Sequence, residues 1–132
     1  MGRLEILLVT TRQTGRWIVP KGWPVKGLTP AKSAAREAFE EAGVQGKVGS
    51  RPVGAFRYTK TADDPAGDMD CEVKIFPLLV RSQSAAWPEA GQRDLRWADP
   101  ETAIALIGDE ELKAVVAAFA KRATASASKL TL

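Results

Sequence analysis

The chain has no histidine and a single cysteine among its 132 residues, and these two shortages remove several kinds of chemistry. A lone thiol, Cys71, cannot close an intramolecular disulfide, and without an imidazole it lacks the usual base that would make it a nucleophile. Cys71 therefore reads as a strand residue. Long apolar runs are missing as well: nothing reaches the length of a membrane span, and nothing has the layout of a signal peptide, so the cytoplasm is the default compartment. Lys and Arg number 19 against 16 Asp and Glu, a net charge of only +3. No basic helix or aromatic array is clustered in the way nucleic acid requires, whereas a mild positive excess suits small anionic ligands. What remains is ordinary globular usage, 45% hydrophobic and 27% charged, without internal repeats and in a length that fits one domain over residues 1–132.

The densest pattern runs from Pro20 to Val44, PKGWPVKGLTPAKSAAREAFEEAGV. Its second half predicts one helix, with Thr29 as N-cap, Pro30 at the first helical position and Gly43 as the left-handed residue that ends it. At 100° per residue Ala34, Ala35, Ala38, Phe39 and Ala42 share a packing face, and Glu37, Glu40 and Glu41 gather nearly opposite. Like charges at such spacings repel by roughly 0.2 to 0.5 kcal/mol per pair. Two readings stand: a solvated polar face, or a site where a divalent cation such as Mg²⁺ turns repulsion into coordination, since that hard ion prefers oxygen ligands. Gly22 and Gly27 in the preceding loop permit close backbone approach, which favours the second.

Gly22, Arg36, Glu37, Ala38, Glu40, Glu41, Gly43 and Val44 resemble in spacing the Nudix hydrolase box, G-x5-E-x7-R-E-U-x-E-E-x-G-U. Leu28 departs from it, standing at the place of the first Glu, whose family role is mainly to buttress the loop. The resemblance implies an α/β fold, the Nudix α/β/α sandwich with a mixed β-sheet flanked by helices. It also implies a Mg²⁺ ion, or Mn²⁺, held by Glu37, Glu40, Glu41 and a backbone carbonyl near Lys21. Arg36 takes the place of the box arginine that orients the carboxylates, and Glu37, Glu41 and Arg36 form the expected catalytic set.

Taken in order, residues 4 to 10 form an apolar strand, Thr11 to Arg16 a turn, and Trp17 to Val19 a second strand that Pro20 ends. Thr10, Thr11 and Arg12 resemble the triplet before W-I-V-P that handles phosphate in diphosphoinositol polyphosphate phosphohydrolases; as a plain reading Arg12 is a solvated turn residue. Lys21-Gly22 looks more like the P-K-G of members that cleave dinucleoside polyphosphates. Trp23 and Pro24 form either an apolar lip or core packing. Short strands follow over 44–57, then an acidic loop over 60–70, then a strand from Cys71 to Val80 that Pro77 interrupts. Trp87 to Trp97 again resembles the diphosphoinositol branch, with Arg93 and Arg96 either lining a cleft or bridging Asp94 and Asp99. A helix over Ala98 to Ile107 and a last helix near Asp109 to Arg122 precede a tail expected to fray from about residue 123. Family members usually carry a strand ahead of residue 4, so either the sheet edge is short here or Met1 is not the native start.

The reaction so implied is hydrolysis of a phosphoanhydride by attack of water at phosphorus, on a small-molecule polyphosphate of diphosphoinositol or diadenosine type. Thr10, Thr11, Arg12, Lys21, Gly22, Arg57, Lys60 and Arg93 are the expected substrate contacts, with Lys26, Lys74 and Arg96 as further cations. The general base lies among Glu37 and Glu41 in the box or Asp68, Asp70, Glu72 and Glu89 outside it. The alternative, which Leu28 favours, is an inactive Nudix-like module that senses a nucleotide without cleaving it. No membrane and no nucleic acid is expected as partner, and the oligomeric state is not encoded in these patterns.

Overall fold

The computed structural model describes residues 4–12, 14–21, 24–60, 69–123 and 129–131, with backbone alone at 58–60, 69–71 and 129–131. Strand β1 (Glu5–Thr10) carries the fold because its four middle residues, Ile6, Leu7, Leu8 and Val9, are apolar and fully buried. Alternate side chains of a strand face opposite ways, and both ways are covered here. Ile6 and Leu8 pack with Val19, Phe56, Ile75, Ala103, Ile107, Leu112, Val116 and Phe119. Leu7 and Val9 pack with Ala38, Ala42, Val44 and Leu78.

The first group brings helices α2 (Pro100–Leu106) and α3 (Glu110–Ala123) to one side, and the second brings helix α1 (Pro30–Ala42) to the other. Between them lies a mixed sheet of β2 (Trp17–Ile18), β1, β8 (Lys129–Thr131), β6 (Leu78–Gln83) and β3 (Val44–Val48) in that order, with β7 (Leu95–Ala98) also pairing with β1. Pairing is antiparallel except between β1 and β8. A separate hairpin of β4 (Gly54–Lys60) and β5 (Met69–Ile75) rests on α3. The α/β/α sandwich expected from the box is therefore the fold observed. Phe76 and Pro77 separate β5 from β6, as a proline without a ladder donor should. Residues 129–131 do not fray: they form β8, paired with both β1 and β6.

Helix α1 has the ends its sequence dictates. Thr29 is extended, its Oγ1 accepts the Lys32 N–H, Pro30 occupies the first position, and Gly43 turns left-handed at φ 72°. Gly43 is required twice over, because a Cβ there would also stand 2.5 Å from Cε3 of Trp87. The division into a packing face and a charged face is less clean than periodicity predicts. Glu41 is buried with Ala31, Ser33, Ala38 and Ala42.

Candidate functional site

The reason for that burial is a segment far away in sequence. After β6 the chain crosses the C-terminal end of α1 and is tied to it by backbone hydrogen bonds. Ser84 N–H donates to the Gly43 carbonyl at 2.8 Å and Glu89 N–H to the Glu40 carbonyl at 3.0 Å. The Gln83 amide donates to the Ala42 carbonyl at 3.1 Å. Last-turn carbonyls, orphaned by the helix geometry, are thus satisfied, and Trp87 packs flat on the bare Gly43.

Beyond Glu89 the chain reaches Arg93, whose side chain is 11% exposed and fully engaged. Its Nε donates to Oε1 of Glu89 at 3.0 Å and its Nη1 to the Thr10 carbonyl at 3.0 Å. The same Nη1 stands 3.8 Å from Oε1 of Glu41, a charge contact too long for a hydrogen bond. Thr10 is locked in turn: its Oγ1 accepts the Asp94 N–H at 2.9 Å, and its N–H donates to the Asp94 carbonyl at 3.1 Å.

Two carboxylates, those of Glu41 and Glu89, therefore meet one guanidinium, and Glu37 stands beside Glu41 on the helix. Glu41 is 2% exposed, and its Oε1 is buried without a hydrogen-bond partner. Burial first, and then the neighbouring Glu37 and Glu89 charges and a hydrogen bond with Glu37, push the Glu41 carboxyl up to about 8 against the pull of Arg93. Burial and the Glu40 charge also raise Glu37, while its hydrogen bond with Glu41 works the other way. Both shifts favour a proton on the metal-free pair. A cation would replace that proton and give the orphaned oxygen a partner.

The expected residues divide. Glu37 and Glu41 are together, and Glu89 is the outside acid brought to them. Glu40 turns to the exposed Arg36, whose Nε is 3.5 Å from its Oε1. Among the described residues no three His, Cys, Asp or Glu side chains form a ready metal cluster. Glu72 is exposed on β5 in register with Arg57, and Asp68 and the Asp70 side chain lie outside the described residues. Arg93 is committed to the Thr10 carbonyl and to Glu89, and Thr10 to Arg93 and Asp94. Arg93 bridges neither Asp94 nor Asp99, whose carboxyl caps α2 and is held low by Thr102. Thr11 closes a turn, accepting the Arg16 N–H, and Arg12 donates to Gln92 at 3.2 Å. Arg57 is exposed on the hairpin that rests on α3, the layer opposite α1. Lys21 is half-buried where the chain leaves β2; Gly22, Trp23 and the Lys60 side chain lie outside the described residues.

Sequence reasoning passed over Ser33. Its side chain is buried in α1, and its Oγ accepts the Val25 N–H at 2.9 Å, holding the loop that Leu28 was thought to leave without support. The only signal was a hydroxyl among alanines in the first turns of the helix.

Comparison with known proteins decides the family. The sequence model of the NUDIX domain matches residues 1–119. The chain belongs to the Nudix family. Nudix hydrolase 13, mitochondrial, of Arabidopsis thaliana is 28% identical over 89% of this chain and 60% of its own length. Diphosphoinositol polyphosphate phosphohydrolase 3-alpha of Mus musculus is 34% identical over 78% of this chain and 60% of its own. The chain thus spans about 60% of the length of these curated Nudix relatives. The crystal structure of C. elegans Ap4A hydrolase matches with a TM-score of 0.59 at 18% identity, covering 92% of this chain and 95% of that one, a likeness of fold.

Proposed function

We propose that this Nudix chain hydrolyses a phosphoanhydride bond in a small polyphosphate, with a divalent cation held by Glu37 and Glu41. The observation that carries the reading is the buried Glu41 carboxyl, whose Oε1 is unpartnered, with Glu37 one turn before it on the same helix. Mg²⁺ commonly takes only one or two carboxylates and fills its octahedron with waters and substrate phosphate, so the pair, with the Lys21 carbonyl as a further oxygen, suits Mg²⁺ or Mn²⁺ without a third acid. When bound, the cation supplies Lewis-acid stabilisation of the charge that builds on the phosphoryl oxygens.

The chain's own residues do the rest. Arg93 holds Glu89 beside the pair and ties both to β1 through the Thr10 carbonyl, which keeps the acids in place as substrate arrives. Water attacks phosphorus, its oxygen bonds to the phosphorus as the bridging P–O bond breaks, and the departing phosphate takes that electron pair. The water's proton passes to a carboxylate oxygen of Glu89, Glu37 or Glu41. Exposed Arg12, with Lys21, offers positive charge for further phosphates, whereas Arg96, alternating with Leu95 and Trp97 on β7, faces the layer opposite α1.

Two substrate classes fit: diphosphoinositol polyphosphates, after the mouse relative's name, and diadenosine polyphosphates, after the nematode enzyme's name and the P-K-G loop. A panel of both, assayed with Mg²⁺ and Mn²⁺ and read by product mass, tests the proposal. Product from the wild type and none from Glu41→Gln is the expected result. Tight binding of a panel member without product under either metal would refute it and leave a nucleotide sensor.

A further inference from the structure

Leu28 occupies the box position where the family resemblance calls for a loop-supporting Glu. It is 37% exposed, the one large hydrophobic side chain so exposed among the described residues. A loop that had simply lost its support would leave its backbone donors open. Here two of them are taken. The Val25 N–H is taken by Ser33, and the Leu28 N–H donates to the Val25 carbonyl at 3.1 Å. Loop and first helical turn are therefore laced together without a carboxylate.

Ser33 also stands in a telling place on α1. Ser33, Glu37 and Glu41 are spaced i, i+4, i+8, so they run down one stripe of the helix with about 6 Å between successive members. Lys21 is four residues before Val25, so its backbone lies within about 14 Å of that residue. Pinning Val25 to the top of the stripe limits where the Lys21 end of the loop can lie relative to the two acids below.

We infer that Ser33 is a positioning residue: its buried hydroxyl replaces the missing box carboxylate as the brace that pins residues 25–28 at the head of the helix stripe carrying Glu37 and Glu41. The inference rests on the metal-site reading given above, but its first readout does not. Residue 28, relieved of the bracing task, is free to be apolar and to face solvent.

The test compares wild type, Ser33→Ala, and Ser33→Ala combined with Leu28→Glu. Alanine is the best helix former, so the single variant keeps α1. Amide exchange of Val25, followed by NMR in the metal-free protein, should quicken at least tenfold in Ser33→Ala while the amides of β1 stay protected. Mn²⁺ affinity, by titration calorimetry, should fall about tenfold, and the double variant should recover most of it. Unchanged Val25 exchange overturns the brace. Faster exchange with unchanged Mn²⁺ affinity overturns the positioning role, as does a double variant that binds Mn²⁺ no better than the single one. A wild type that binds Mn²⁺ yet hydrolyses nothing would sink the enzymatic proposal alone.

Discussion

Glu41 makes the stability of the metal-free protein depend on pH in an unusual direction. In the unfolded chain its carboxyl titrates near 4.5, and in the folded chain burial moves it to about 8. Between those values the native state holds a proton that the unfolded chain has released. Raising the pH through this window therefore favours unfolding, by up to about 1.4 kcal/mol per pH unit for one proton. Over the whole window the loss from Glu41 alone is bounded at about 5 kcal/mol, and the raised Glu37 adds in the same direction. Glu41→Gln keeps the shape and the hydrogen-bond donor to Glu37 but has nothing to ionise. In EDTA, urea unfolding monitored by tryptophan fluorescence should show wild-type stability falling by several kcal/mol from pH 5 to pH 8, on the order of 10 °C in melting temperature. The variant should match the wild type at pH 5, exceed it at pH 8 and show most of the slope gone.

Millimolar Mg²⁺ or Mn²⁺ should then restore the wild type at pH 8, because a ligand that binds only the folded state stabilises it by RT ln(1 + [L]/Kd). Glu41→Gln should gain little. Metal affinity should rise with pH across the same window, each cation displacing the shared proton. A wild type whose stability in EDTA is flat from pH 5 to pH 8, or a Gln variant that keeps the slope, would show that the carboxyl pair is not the strained centre described.

Other substitutions probe the parts that hold this centre. Gly43→Ala places a Cβ against the Trp87 ring and forces alanine to positive φ, so a loss of about 2 to 4 kcal/mol in urea unfolding is expected. Arg93→Gln removes the one counter-charge among the described contacts of Glu41 and leaves Glu89 unpaired; about 3 kcal/mol should be lost, with a larger deficit at pH 8, where Glu41 ionises, than at pH 5. Thr29→Ala deletes the cap of α1 and should lower the melting temperature by the equivalent of roughly 1 kcal/mol, with metal affinity unaffected.

Local chemistry was readable, and chemistry assembled from distant segments was not. The ends of α1 follow from Thr29, Pro30 and Gly43, each acting within a few residues of itself, and Pro77 breaks the 71–80 segment for an equally local reason. Glu41 looked like a surface acid because the residues that bury it, Trp87 to Arg93, lie more than forty positions on. Arg93 looked like a substrate contact because its hold on Glu89 and the Thr10 carbonyl depends on β1 lying beside β7. β8 was read as a frayed tail because three residues with no strong pattern acquire a strand only between β1 and β6.

Leu28 and Ser33 carry the same lesson into function. The box names residues by position, but what the loop needs physically is an acceptor for its backbone donors, and any buried oxygen of the right reach can supply one. Leu28 argued for an inactive module only while position 28 was taken as the sole place for that acceptor. With Ser33 Oγ 2.9 Å from the Val25 nitrogen, the departure no longer counts against catalysis. The weight falls instead on the Glu37–Glu41 pair, whose raised carboxyls and unpartnered oxygen a cation is expected to relieve.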